Sequence, residues 1–444
     1  MSGFPVELWM QVLSDIDPLQ HRQTLLALCL TSKTLFEVAR PLLYSVLTAE
    51  DLRKQSVLFA LGDSTRGNWR AGCVREVFTE CRLVAERDGE FEADRPWTEE
   101  ELHAAQAKTM ASWDRTVSAL KDCTSVTKLH FSLDCFEGTE RPGANALANG
   151  QDIYESVPMP SEDSLLSLPF LDTLRELSIE SPNATEDTSY RSFGALILAC
   201  PQLSKLSLRL VIFGALFEPI LDALTFKPGQ VLALEHVEWD ERQMRDDMEA
   251  PDCFDEILPL LAKLPSLRRI TFAGDNIHAE YLCSSHLQSS LRIPQVNHVT
   301  LLDDALGHSG DEHHLFYIIN LYFPALATLT ISVEECELYG TVNTTFSCLQ
   351  DLTVIDHHQY VYVAAPVFLK LLHHSFSPNL STFRYHPKWL DSDNDAERQL
   401  LDEQRYWLGC DFGSFGTDLS SIELQHKGRI IRLRRQKRLG FAAL

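Results

Sequence analysis

No apolar run in this 444-residue chain reaches the roughly 18 residues a membrane-spanning helix needs, so no membrane span is expected. Positive charge is also scarce. Lys and Arg total 39 against 63 Asp and Glu, a net charge of −24. Nucleic acid and anionic membrane both need a basic footprint, and neither is expected as a main partner. The 11 cysteines include no CxxC pair and no metal-ligand spacing. Reduced, mostly buried thiols in the cytosol or nucleus are expected, with no metal and no cofactor. Phosphate-loop, dinucleotide-loop, HExxH and GxSxG motifs are all absent. GDSTRG, from Gly62, has only a chance-level likeness to a hydrolase serine block. His313-His314, His357-His358 and His373-His374 are adjacent pairs, whose side chains diverge on a helix or strand and chelate poorly. No catalytic constellation is left, and the chain is expected not to be an enzyme. Glu7 stands where a secretion signal would want a basic region followed by an apolar one, so none is expected. The sequons at Asn183, Asn343 and Asn379 then read as chance matches.

What is present is core-forming material, 45% hydrophobic and 9% aromatic, enough to exclude wholesale disorder. It begins at once, with FPVELWMQVL at 4–13. On a helix over 4–16, Glu7, Gln11, Ser14 and Asp15 make one narrow polar stripe. Val6, Leu8, Trp9, Met10, Val12, Leu13 and Ile16 cover the remaining arc, roughly 200°, where packing on one core needs about 100°. Pro5 suits a first helical turn. After the Asp17-Pro18 break, RQTLLALCLTSK predicts a second helix, and TLFEVA a third that Pro41 stops. Three short helices cannot bury that much apolar surface among themselves, so the module is expected to dock on something.

These residues resemble an F-box, whose usual opening is L-P-x-E-L-x-x-x-I-L. Pro5, Glu7, Leu8, Val12, Leu13, Leu25, Leu28, Ser32 and Lys33 fall on that pattern, and the adjoining RPLLY run looks like fungal F-box proteins. Phe4 replaces Leu, Val12 replaces Ile, and Thr34 stands where a Trp usually comes after Lys33. The resemblance covers about a tenth of the chain and implies docking to the Skp-type adaptor of a Skp–cullin–F-box ubiquitin ligase, and through it to a cullin. Carried over by position, Pro5, Leu8, Val12, Leu13, Leu25, Leu28 and Lys33 would lie at or near the adaptor contact. The plainer alternative is a helical cap on the rest of the chain.

Beyond these helices the chain is repetitive. L-x-x-L-x-L units recur as VTKLHF (126–131), LRELSI (174–179), LSKLSL (203–208), LEHVEW (234–239), LRRITF (267–272), VNHVTL (296–301), LATLTI (326–331), LQDLTV (349–354), LSTFRY (380–385) and LSSIEL (419–424). Most are separated by about thirty residues, and their alternation predicts half-buried strands. Helical stretches lie between them: SYRSFGALILA, FEPILDALTF, CFDEILPLLAKL, EHHLFYIINLYF and PVFLKLLHHSF. Several end in a proline turn, as in CPQL, LPSL, IPQV, FPAL and SPNL. Helix, turn and strand in series predict an α/β solenoid. This part resembles the leucine-rich-repeat half of F-box proteins, with C-P-x-L-x-x-L-x-L at 200–208 the best match. The Asn or Cys ladder of that family is replaced by Val211, Asp275, Glu334, His357 and Lys388, so an irregular horseshoe is expected.

The expected organisation is an F-box-like module at 1–48, a join and helical cap at 49–125 with one weak unit at VREVFT, the solenoid at 126–425 and a basic tail at 426–444. The segment 135–168 reads as a long insertion. KGRIIRLRRQKR (427–438) carries seven Lys/Arg and no acid, and reads as a solvated tail, a nuclear-import patch or a weak RNA contact. Acids gather near strand ends: Glu180, Glu238, Asp240, Asp275, Asp303, Asp304, Glu334, Glu335 and Asp356. Stacked in a solenoid they would form a rim that attracts a basic segment of a protein substrate, the bland alternative being solvated loop charge. The expected function is a non-catalytic substrate receptor of a ubiquitin ligase, cytoplasmic or nuclear. The alternative is a leucine-rich-repeat scaffold whose N-terminal helices cap the solenoid or dimerise.

Overall fold

The structure, a computed structural model, describes residues 6–62, 69–81, 98–133, 159–181, 190–209, 216, 220, 232–240, 258, 261–273, 291–302, 313–333, 345–356, 377–387, 421–426, 429–436 and 440–443. The fold is α/β, and the chain divides into two compact units, Met1–Ala233 and Leu234–Leu444.

Unit 1 opens with helices α1 (Val6–Ser14), α2 (Arg22–Thr31) and α3 (Lys33–Leu43). Asp17 Oδ1 accepts from the Leu19 amide at 2.8 Å and shapes the break after α1. Ser32 Oγ accepts from the Leu35 amide at 3.2 Å and caps α3. Leu13, Leu25 and Ala39 form the buried centre, packed by Ile16, Leu28, Cys29, Val38, Leu42 and Leu43. That packing explains a departure from the sequence reading: Pro41 lies inside α3 and does not end it. Leu42 and Leu43 hold the last turn against the core despite the amide Pro41 lacks.

The unit continues through β1 (Val46–Leu47), α4 (Ala49–Arg53), α5 (Gln55–Gly62), α6 (Trp69–Cys73) and β2 (Glu76–Glu80). Then come α7 (Glu99–Leu120), β3 (Lys128–Ser132), α8 (Glu162–Leu166), β4 (Glu176–Glu180), α9 (Arg191–Ala199) and β5 (Lys205–Arg209). Thr48 and Asp51 make a capping box on α4, and Thr98 and Glu101 another on α7. All strand pairings from β1 to β5 are parallel. The sheet thus starts at Val46, well before the position expected from the repeats, and VREVFT supplies β2, a full strand. α7 buries Leu102, Ala105, Thr109 and Trp113 along one stripe. Trp113 packs edge-on against Phe131 at 5.1 Å, and Phe131 against Phe193 at 4.8 Å.

Unit 2 holds β6 (His236–Asp240), β7 (Arg269–Ala273), β8 (His298–Leu302), α10 (His313–Tyr322), β9 (Thr328–Val333), β10 (Asp351–Asp356), β11 (Thr382–Pro387) and β12 (Ser421–His426). β6 to β12 pair in parallel, each with the next. β13 (Arg429–Gln436) and β14 (Gly440–Ala443) come last, as antiparallel strands. The basic segment is therefore not a free tail. It forms the closing strands of the unit, and Arg432 Nε donates to Glu423 Oε1 at 2.9 Å across β12 and β13.

One rule opens each strand of β2 to β5 and β7 to β11. The two amides that open it donate to a single carbonyl of the preceding repeat. Arg175 and Glu176 donate to Thr127 O at 2.8 and 3.0 Å, and Arg268 and Arg269 to Glu235 O at 2.8 and 2.9 Å. Proline sets the entry. Leu203 N donates to Cys200 O at 3.2 Å, closing a four-residue turn with Pro201 at its second position, and Leu267, Val296, Leu326 and Leu380 repeat the bond. Register then stacks the apolar positions into columns: Val77, Leu129, Leu177 and Leu206 in unit 1, and Val237, Ile270, Val299, Leu329, Leu352, Phe383 and Ile422 in unit 2. All of these are buried.

The expected helices at FEPILDALTF and CFDEILPLLAKL are described only in part, with Ile220, Leu258 and Leu261 helical and buried, and PVFLKLLHHSF, most of the insertion and the positions of the missing Asn ladder lie outside the described residues.

Candidate functional site

The helical module is the most apolar surface of the molecule among the described residues. Val6, Leu8, Met10, Val12, Leu19, Leu26, Leu30 and Phe36 are all exposed, and among the described residues only Leu166 joins them as a large exposed hydrophobe. Met10 is 60% exposed, Val12 52% and Leu30 81%. Such crowding within 31 residues of sequence marks an interaction surface.

The carried-over adaptor positions divide in two. Leu8, Val12 and Lys33 are exposed and Leu28 is half-buried, whereas Leu13 and Leu25 are fully buried in the module's own core. Leu13 and Leu25 therefore support the surface from beneath and do not form it. Pro5 lies outside the described residues. The reading by sequence pattern missed Leu26, Leu30 and Phe36. The signal was available, since α2 carries more leucines than one buried stripe can use.

Two ties fasten the module to the rest of unit 1. The Arg22 guanidinium reaches Asp51 Oδ2 at 2.5 Å, while Thr48 donates to the same oxygen through its amide and hydroxyl. Burial alone would push the Asp51 carboxyl up, but Arg22 and the Thr48 donors outweigh it and hold it below its usual range. At the second tie, the Arg40 guanidinium lies 4.1 Å from the Trp69 ring centre and 5.0 Å from that of Phe36. Tyr44 meets Trp69 edge-on at 5.4 Å.

The sheets offer a second kind of surface, the faces that bear the first, third and fifth residues of each strand. In unit 1 that face is self-neutralising. Register aligns Glu76, Lys128, Glu176 and Lys205 in alternating sign, with Lys128 Nζ 3.1 Å from Glu176. Arg209 pairs with Glu180 at 3.2 Å, and Arg53 pairs with Glu80. Phe78 and His130 stack at 4.1 Å, and His130 Nε2 lies 2.7 Å from Glu76. That hydrogen bond holds the Glu76 carboxyl below its usual range.

In unit 2 the third position is a row of hydroxyls, Thr271, Thr300, Thr330 and Thr353, each half-buried and in register with the next. The row ends in an ionic clamp. Arg384 Nε donates to Glu423 Oε2 at 2.9 Å, opposite Arg432 on the other oxygen. This row was readable in the aligned units LRRITF, VNHVTL, LATLTI and LQDLTV, which share the threonine.

Of the acids expected to form a rim, three have described side chains, Glu180, Asp240 and Glu238. Glu180 is neutralised by Arg209, Asp240 is buried at 8% exposure, and Glu238 is half-buried beside Thr271. Asp275, Asp303, Asp304, Glu334 and Glu335 lie outside the described residues, as does the side chain of Asp356. Burial pushes the Cys81, Cys123 and Cys200 thiols up to about 12, which leaves them protonated and unreactive. Among the described residues no group of three His, Cys, Asp or Glu could hold a metal ion. No described helix is long and apolar enough to cross a membrane. No protein-family model matches the chain, and no curated protein matches it.

Proposed function

We propose that the chain is the substrate-recognition subunit of a Skp–cullin–F-box ubiquitin ligase, with an F-box-like helical module leading into an irregular leucine-rich-repeat solenoid. The observation that carries this reading is the set of exposed apolar side chains on α1 to α3, with Leu8 and Val12 on the carried-over positions and Leu26, Leu30 and Phe36 likewise exposed. A cap accounts for buried Leu13 and Leu25 and for the ties to Asp51 and Trp69. It does not account for Val6, Leu8, Met10 and Val12, all at least 41% exposed. The solenoid part of the reading draws on parallel strands in unbroken register within each unit and on the repeated two-amide entry. Catalysis is then proximity. The receptor brings a substrate lysine to an enzyme on other subunits and supplies effective concentration, while bond chemistry takes place elsewhere.

The test is co-purification with the Skp-type adaptor, comparing the full chain with a Leu8→Asp plus Val12→Asp variant. Both side chains are exposed, so the variant is expected to fold with stability within about 0.5 kcal/mol of the parent. Adaptor capture should be lost. Undiminished capture by the folded variant would overturn the assignment.

A further inference from the structure

On the open strand faces of the two units, five cationic side chains besides Arg269 are described. Lys128, Arg209, Arg384 and Arg432 are in ion pairs, and Lys205 stands in register beside Glu176. Among the described residues Arg269, exposed at the start of β7, makes no ion pair. Its register partner on β8 is His298, and neighbouring strands lie about 4.8 Å apart. Two residues along β8, on the same face, Thr300 carries a hydroxyl with no side-chain hydrogen bond among the described residues. A guanidinium with no ion pair among the described residues, an imidazole and a hydroxyl thus share one face of the adjacent strands β7 and β8.

We infer that Arg269, His298 and the Thr300 hydroxyl form a binding site for one oxyanion of sulfate or phosphate type, and that occupancy is coupled to uptake of one proton.

The coupling rests on the hydrogen bond behind the imidazole. His298 Nδ1 lies 2.6 Å from Asn297 Oδ1, so the neutral ring donates Nδ1–H to Asn297 and leaves the Nε2 lone pair bare. A lone pair repels an oxyanion, and a protonated Nε2 donates to it. Burial and the adjacent Arg269 hold His298 below its usual range, and Asp351 on β10 pulls the other way. Thr328 on β9, between His298 and Asp351 in register, brings no charge. On β6, His236 shares a hydrogen bond with Thr271 at 3.1 Å, and Glu238 stands beside Thr271, which places the anion over β7 and β8 and away from that carboxylate. An anion seated between Arg269 and His298 cancels the like-charge repulsion and lifts the imidazole. Binding therefore takes up a proton at neutral pH and strengthens as pH falls.

The inference goes beyond the ligase reading and uses no residue of the helical module, so failure here leaves adaptor capture untouched. Sulfate is the probe, because it does not titrate in the range used. The full chain is titrated calorimetrically at constant ionic strength, near about pH 6 and about pH 8, in buffers of differing ionisation heat. Saturable binding roughly fivefold or more tighter at the lower pH is expected, with up to about one proton taken up. Arg269→Gln should abolish binding, and His298→Asn should leave weak binding without pH dependence or proton uptake. At the lower pH, phenyl phosphate binding more tightly than sulfate assigns the site to an ester-borne oxyanion, and equal affinity assigns it to the free ion. Absence of saturable binding, unchanged binding in folded Arg269→Gln, or retained pH dependence in His298→Asn would each overturn the inference.

Discussion

The two units share one backbone plan and dress it differently. Both stack parallel strands with the same buried columns, and in both the two-amide entry recurs from strand to strand, at β2 to β5 and β7 to β11. On the open face of unit 1, charges alternate across the strands and are met in ion pairs, and Phe78 lies flat on His130. On the open face of unit 2, four threonines run in register beside an arginine with no ion pair among the described residues. A face that satisfies its own charges offers a partner little to gain from desolvation. A face of hydroxyls with one cation that meets no acid among the described residues keeps its hydrogen-bonding capacity for a ligand. On the ligase reading proposed above, the hydroxyl-bearing face of unit 2 is the one suited to recognition, while unit 1 carries the helical module.

The sharpest way to break that comparison is to test whether the columns are as equal as their burial implies. Leu177→Ala in unit 1 and Leu352→Ala in unit 2 remove side chains that are 1% and 0% exposed. Each should cost about 2–5 kcal/mol by chemical denaturation. A cost confined to one unit would show that the shared plan is not shared energetically.

Smaller and pH-dependent is the tie at Asp51. Its carboxyl is held below its usual range in the folded state, so its stabilisation is present above the unfolded value near about 4 and is lost as pH falls through the folded value. Asp51→Asn should cost about 1–3 kcal/mol at neutral pH, with the difference from the parent closing in strong acid. A cost that stays constant down to about pH 2 would remove the ionic account of this tie.

Smallest is the contrast within unit 2. Glu423→Gln, which removes the charge and one of the two acceptor oxygens shared by Arg384 and Arg432, should cost about 1 kcal/mol. Thr330→Val keeps the shape of a half-buried hydroxyl and should stay within about 0.5 kcal/mol of the parent. Equal losses would mean that the threonine row is structural and not a recognition surface.

Much of this architecture was legible in the chain. Alternating apolar residues placed the strands, and the proline turns placed their starts, because Pro201 and its equivalents can occupy a turn's second position but cannot continue a helix. Other elements were not legible, for identifiable reasons. VREVFT looked weak because Thr79 stands where the other units carry an apolar residue. In the structure its hydroxyl donates to His130 O at 3.2 Å, which allows a buried polar group in the column. The basic run at 427–438 looked like a solvated tail because its charge hid an alternation that pairs with β12. Leu13 and Leu25 matched a docking pattern that does not distinguish residues forming a surface from residues supporting it.

Local chemistry, then, was settled by the residues in order: the two-residue alternation, the helical spacing, the caps at Thr48 and Thr98, and the turns at proline. These depend on contacts a few residues apart, which a linear reading contains. Only the tertiary structure decided which charges meet. Lys128 finds Glu176 from 48 positions away, Arg384 finds Glu423 from 39, and Arg269 comes to lie beside His298 with no acid of its own among the described residues. Ion pairing depends on register between strands brought together by folding, and the order of residues along the chain does not carry that distance.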